Sequence, residues 1–161
     1  MKYSAVVAHI AVPLLGVSTG LRSFTPIAVT AWFARMGKLD VPPAWAWIRH
    51  PAAVGLFTAG AIGECIGDKL PKTPNRTTPI ALAGRVVFGA LVGAILAATF
   101  KRPLIGGIAM GVLGAAAGTY GGFYARTGLT GGVGLKDLPV ALLEDTLAVS
   151  LAVGSLKRLT A

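Results

Sequence analysis

Four carboxylates, Glu64, Asp68, Glu144 and Asp145, and two arginines, Arg22 and Arg85, stand within or at the edge of long apolar stretches of this chain. An ionised side chain at the centre of a membrane helix costs about 2.5–3.5 kcal/mol even on the lenient insertion scale. Such residues are kept when they are paired, protonated or turned to a wet cavity, and each of those states is a chemistry. Glu64 and Asp68 are four apart and share one helix face. Glu144 and Asp145 are adjacent, so their side chains diverge and do not serve one ion together on an unbroken helix. Asp68, beside Lys69 at the end of a stretch, is the acid that solvation explains most simply. Two chemistries follow. Arg22 and Arg85 can pair with Glu64, Glu144 or Asp145 and fix helix register, or a carboxylate can carry a cation or proton while an arginine holds an anionic solute.

The elements that must position these residues are transmembrane helices. The chain has 161 residues, 54% hydrophobic and 13% charged, with a mean hydropathy of +0.71. Soluble domains carry about 25% charged residues, so half that value leaves too little polar surface to coat a water-soluble globule. At about 20 residues per span, the length suits a single transmembrane domain over residues 1–161, an all-α bundle of five helices within a range of four to six. Residues 3–21 are uncharged and read as a retained first span; no small-x-small cleavage site follows Lys2 and the apolar run. Gly20, Arg22 and Pro26 break that helix, and the apolar piece 27–34 is too short to span alone, so the region is one broken helix or a span with a re-entrant segment. Further stretches at 52–67, 80–100, 104–125 and 138–156 complete the five. With five spans the Lys and Arg of the loops divide six against seven, and the positive-inside rule sets no orientation.

Glycines recur at helical spacing: Gly107, Gly111, Gly114, Gly118 and Gly122 on one stretch, Gly89 and Gly93 on another, Gly16 and Gly20 on the first. Small residues four apart let membrane helices approach closely, within the chain or in a homodimer through the glycine-rich faces. Gly16, Gly20 and Arg22 find a loose echo in Gly118, Gly122 and Arg126, each ahead of a span with an acidic pair. Two such two-helix units joined by one helix would be inverted repeats with a site near the midplane.

The excluded classes are as informative. The net charge of +9 lies mostly between apolar stretches, where cations anchor helices and attract anionic lipid; membrane lipid is an expected partner and nucleic acid is not. The single cysteine, Cys65, forms no internal disulfide. His9 and His50 are isolated, and no cluster has metal-ligand spacing, which leaves the question of a metal undecided. The sequence holds no Gly-x-Ser-x-Gly and no Walker loop; the run from Leu129 to Gly134 lacks the Gly-Lys-Ser/Thr that would complete a phosphate cradle and reads as a connector. Neither an enzyme nor a cofactor is expected.

The ordered set Gly20-Leu-Arg22-Ser-Phe24-Thr-Pro26, Arg35-Met-Gly37-Lys-Leu39-Asp40, Pro42-Pro43 with Trp45 and Trp47, Glu64, Asp68-Lys69-Leu70-Pro71, Asn75, Gly84-Arg85, Gly89, Thr130-Gly-Gly and Glu144-Asp145 runs through nearly the whole chain. It resembles the bacterial membrane-protein family catalogued as domain of unknown function number four-one-two-six. The resemblance implies a small multi-pass protein of the bacterial inner membrane and treats Arg22, Glu64, Asp68, Lys69, Arg85, Glu144 and Asp145 as family features; it supplies no activity. The leading expectation is a transporter or channel-like protein for an ion or small solute, with Glu64 and Glu144 as cation or proton carboxylates, Asp68 and Asp145 beside them, and Arg22 and Arg85 as counter-charges or anion contacts. The alternatives are a non-transporting scaffold or assembly factor with structural charges, and an enzyme acting on lipid headgroups through Asp68 and Asn75.

Overall fold

The computed structural model describes residues 5–69 and 77–160, with side chains from residue 10 onward; the side chain of His9 and the whole of Asn75 lie outside that set. Among the described residues there is no strand. The helices are α1 (Ala5–Leu21), α2 (Phe24–Arg35), α3 (Pro51–Gly67), α4 (Pro79–Thr99), α5 (Leu104–Thr127) and α6 (Asp137–Thr160). A 3-10 helix, Pro43–Arg49, precedes α3, and a π-turn, Gly128–Gly132, prolongs α5 into what the sequence reads as a connector. Prolines open α3 and α4 at positions where a helix has no use for the missing N–H, and His50 caps α3 by accepting from the Ala52 N–H.

Three segments are long and apolar enough to cross a membrane: Pro79–Thr99, Leu104–Gly132 and Asp137–Thr160. The other two expected spans are shorter apolar helices, Ile10–Leu21 and Pro51–Gly67. Their shortness has a structural cause in the way the chain reverses at Arg22.

Directions follow from the contacts. Gly16 of α1 abuts Gly111 and Gly114 of α5, and Gly20 abuts Ala115 and Gly118, so α1 and α5 run the same way. Gly89 and Gly93 of α4 meet Gly111 and Gly107 in reverse order, so α4 opposes both. Ser18 and Arg22 bond Ala148 and Asp145, so α6 also opposes α1. Phe24 meets Gly60 and Glu64 of α3, while Phe88 of α4 stacks on Phe24 and Phe57. The six helices therefore alternate in direction. The first region is a helical hairpin whose tip is Arg22 and Ser23, so of the two readings of the sequence the chain departs from a helix broken in place, and α2 makes six α-helices among the described residues where five are expected. Because α1 and α5 run parallel, the structure does not bear out the two-helix inverted repeat that pairs them, in which they would be opposed.

The tip lies inside the bundle. It sits level with Arg85, Asp145 and Thr119, which are six to eight residues from the nearer ends of α4, α6 and α5; at 1.5 Å per residue this is about 10 Å in. Beyond it on the opposite side the interior is apolar, with Leu15, Ile27, Ile48, Ile95, Leu96, Leu156 and Leu159 fully buried. The reversal also sorts the charges. Among the described residues, Arg35, Lys38, Arg49, Lys101, Arg102, Lys157 and Arg158 gather at one end with Asp40, whereas the tip end holds Arg22, Lys69, Arg85, Arg126 and Lys136 with five acids.

The glycine stripe of α5 is the seam for two neighbours at once. Gly107 and Gly111 face α4, and Gly114 and Gly118 face α1. A β-carbon on Gly20 would collide with the Ala115 carbonyl and the Thr119 backbone, and one on Gly93 with the Gly107 carbonyl. Close backbone approach is how helices associate where lipid removes the hydrophobic drive between them. Replacing Gly20 by Ala is therefore expected to cost about 1–3 kcal/mol or more, read as a lower thermal midpoint in detergent. Gly121→Ala, whose β-carbon enters open space, should leave the midpoint unchanged or raise it slightly.

Candidate functional site

The hairpin tip exposes two helix ends to the bundle interior: carbonyls at the end of α1 and amides at the start of α2. Each carries about half an elementary charge, and unpaired backbone groups are tolerated at membrane depth only when protein satisfies them. Two side chains from other helices do so. The Arg85 guanidinium of α4 donates through Nη1 to the Gly20 and Leu21 carbonyls, the latter at 3.1 Å, and the Thr119 hydroxyl adds a bond to Gly20 at 3.3 Å. Glu64 of α3 accepts from the Ser23 N–H at 2.8 Å and the Phe24 N–H at 3.0 Å, one bond on each oxygen. The cation thus faces the negative helix end and the anion the positive one. The two side chains approach each other at 3.7 Å. Pro26, in the first turn of α2, needs no N–H partner there.

Arg22 occupies the centre. It is fully buried, with Nε donating to Asp145 Oδ1 at 2.5 Å and Nη2 lying 2.9 Å from Asp68 Oδ2. Lys69 Nζ reaches the other Asp145 oxygen at 2.6 Å. Arg126, near the end of α5, bonds Asp68 at 2.8 Å and Asp137 through Nη2 at 2.7 Å, and stands 3.8 Å from Glu144. Nη1 of Arg22 has no hydrogen-bond partner among the described residues.

All six residues singled out in the sequence, Arg22, Glu64, Asp68, Arg85, Glu144 and Asp145, meet in this cluster. The expected divergence of Glu144 and Asp145 holds: Asp145 turns to Arg22 and Lys69, Glu144 to Arg126. The expectation of a solvated Asp68 does not hold. Gly67 ends α3 at the depth of the tip, which places the Asp68 carboxylate between two arginines with a side chain 15% exposed. Arg126, Asp137 and Lys69 complete the network. Lys69 and Arg126 stand out in the sequence as a family feature and as the echo of Arg22, but their positions at the ends of apolar stretches give no sign of their partners, and nothing in the sequence singles out Asp137. His50 lies elsewhere, as a helix cap. Among the described residues no group of three or more His, Cys, Asp and Glu side chains is arranged around a metal position.

Fold and site together define an all-helical protein with three helices able to cross a membrane and a buried ion-pair network at a helical hairpin tip. The chain belongs to the family described as Domain of unknown function (DUF4126), whose model matches residues 10–157. No curated protein and no solved structure matches it.

Asp68, beyond the end of α3, has a carboxyl held below its ordinary value of 3.8. Burial pushes it up, but the hydrogen bond and charge of Arg22, then those of Arg126, outweigh burial. A folded value below the unfolded one means that the stabilisation is complete above about pH 4 and is lost as pH falls through the folded value. Asp68→Asn is expected to cost about 3 kcal/mol near neutrality and to flatten the acid limb of stability, measured by thermal unfolding in detergent between about pH 3 and 7.

Proposed function

We propose that the protein is a small multi-pass transporter or channel-like protein of the bacterial inner membrane, moving an ion or small solute through the cluster at the hairpin tip. One observation carries this reading: Arg22 is fully buried among ion pairs, yet its Nη1 has no partner among the described residues. Leaving a buried donor unfilled costs about 1–3 kcal/mol, more when it is charged. A guanidinium kept in that state is ready to donate to an oxygen of a small anion or carboxylate. Asp68 and Asp145 set its orientation, and Glu144, a buried carboxylate 3.8 Å from Arg126 in the same cluster, is the group assigned to exchange a proton or cation. The fully buried apolar side chains on the far side of the tip fit a site reached from the tip end.

A second reading, a non-transporting scaffold, rests on Glu64 and Arg85, whose charges serve the two helix ends directly. In the transport reading these two hold the tip and Arg22 with Glu144 do the binding.

Proteoliposomes loaded with a pH-sensitive dye separate the two. Under an imposed proton gradient, with small carboxylates supplied outside, transport predicts a flux that Glu144→Gln and Arg22→Lys each reduce at least tenfold while the variants remain folded. Flux absent in the wild type, or unchanged in both variants, supports the scaffold.

A further inference from the structure

The end of the bundle opposite the ion cluster carries a cavity that this reading does not use. It has a volume of about 240 Å³ and lies where the α4–α5 turn meets α1, walled by Val12, Leu96, Ala97, Phe100, Gly107 and Met110. Arg102, Pro103 and Gly106 complete the wall, and all three are exposed. Leu104 and Ile105, at the start of α5 beside it, are exposed at 46% and 83%. The cavity is therefore continuous with an apolar outer surface that, in a membrane, meets acyl chains.

Its chemistry is split. The lining is apolar apart from Arg102, and water does not occupy apolar cavities of this kind favourably. The volume falls short of the roughly 300 Å³ that a whole small-molecule ligand takes, so it fits a segment of a longer apolar molecule. Arg102 follows Lys101, whose left-handed backbone (φ 53°) makes the turn tight and sets two cations side by side next to the cavity. The same end gathers seven Lys and Arg against Asp40 among the described residues. It also holds all three tryptophans, Trp32, Trp45 and Trp47, two of them 44% exposed, as at a headgroup boundary.

We infer that this cavity is a binding site for an anionic phospholipid, with part of an acyl chain inside it and the phosphate on Arg102. Charge complementarity selects the occupant: a zwitterionic lipid supplies the chain but not the net charge, and a second copy of the basic end would bring like charge to like. Arginine meets phosphate through charge-assisted, paired hydrogen bonds, and a cation near the membrane surface favours anionic lipid about fivefold.

The test is native mass spectrometry of the full chain in detergent, titrated with dioleoyl phosphatidylglycerol or dioleoyl phosphatidylcholine. The wild type is expected to retain one phosphatidylglycerol, with a preference of about fivefold or more. Arg102→Gln should lose the preference, and Arg158→Gln, a cation at the same end outside the cavity wall, should keep it. Gly106→Leu, whose β-carbon starts in open space, should fill the cavity and abolish retention. Equal retention of both lipids by the wild type, or a preference that survives Arg102→Gln, overturns the proposal. So does a dimer that forms in place of lipid binding and disappears in Gly106→Leu. If Gly106→Leu does not fold, the Arg102→Gln and Arg158→Gln comparison decides.

Discussion

The backbone opens at Arg22 and Ser23 about 10 Å inside the end of the long helices, and this creates two helix ends that face protein rather than water. The Arg85 guanidinium on the Gly20 and Leu21 carbonyls, and the Glu64 carboxylate on the Ser23 and Phe24 amides, give those ends the charge and hydrogen bonds they need. Once these contacts are made, α2 can run back beside α6 and the short helices α1, α2 and α3 can meet at the tip. Arg22 is then carried into the interior, where Asp68 and Asp145 must meet it because an isolated buried guanidinium is far too costly. Lys69 and Arg126 balance those carboxylates in turn. The network is thus a consequence of one chain reversal at depth.

The second constraint is steric. Arg85 reaches the end of α1 because α4, α5 and α1 lie nearly backbone to backbone along the glycine stripe of α5. A methyl group at the tightest positions would push the helices apart, and the same displacement would draw Arg85 and Thr119 away from Gly20. Packing and electrostatics at the tip are therefore coupled: the seam sets the distance at which the charges work. Gly60 plays a smaller version of the part, letting the ring of Phe24 lie against α3 where a β-carbon would strike it, so that Glu64, one turn on, meets the α2 amides.

Much of this was legible in the residues. The stretches 80–100, 104–125 and 138–156 became helices Pro79–Thr99, Leu104–Thr127 and Asp137–Thr160, because long apolar runs with at most two charges, bounded by prolines and cations, leave few alternatives in lipid. The break at Gly20 to Pro26 was visible because a glycine, an arginine and a proline rarely fall together inside a helix. Direction after the break was not visible. Spacing along one chain reports which residues share a face, and says nothing of whether the next helix continues or turns back. The apolar piece that follows, too short to span, fitted the remainder of a broken helix and a re-entrant segment equally. Partner choice was hidden for the same reason: Asp68 beside Lys69 looked solvated until α3 was seen to end at the tip. The glycine stripes announced close approach without announcing to what; the contacts observed are within the chain.

The central claim is that Arg85 and Glu64 act together on the two helix ends of one reversal. A double-mutant cycle with Glu64→Gln, Arg85→Gln and the pair, followed by unfolding of the detergent-solubilised protein, tests it most directly. Glutamine at position 64 retains one acceptor where the carboxylate offers two, and glutamine at position 85 cannot span both carbonyls as a cation. Each single substitution is expected to cost about 2–4 kcal/mol, and the double less than their sum by at least about 1 kcal/mol. Single effects below about 0.5 kcal/mol, or strict additivity, would contradict it.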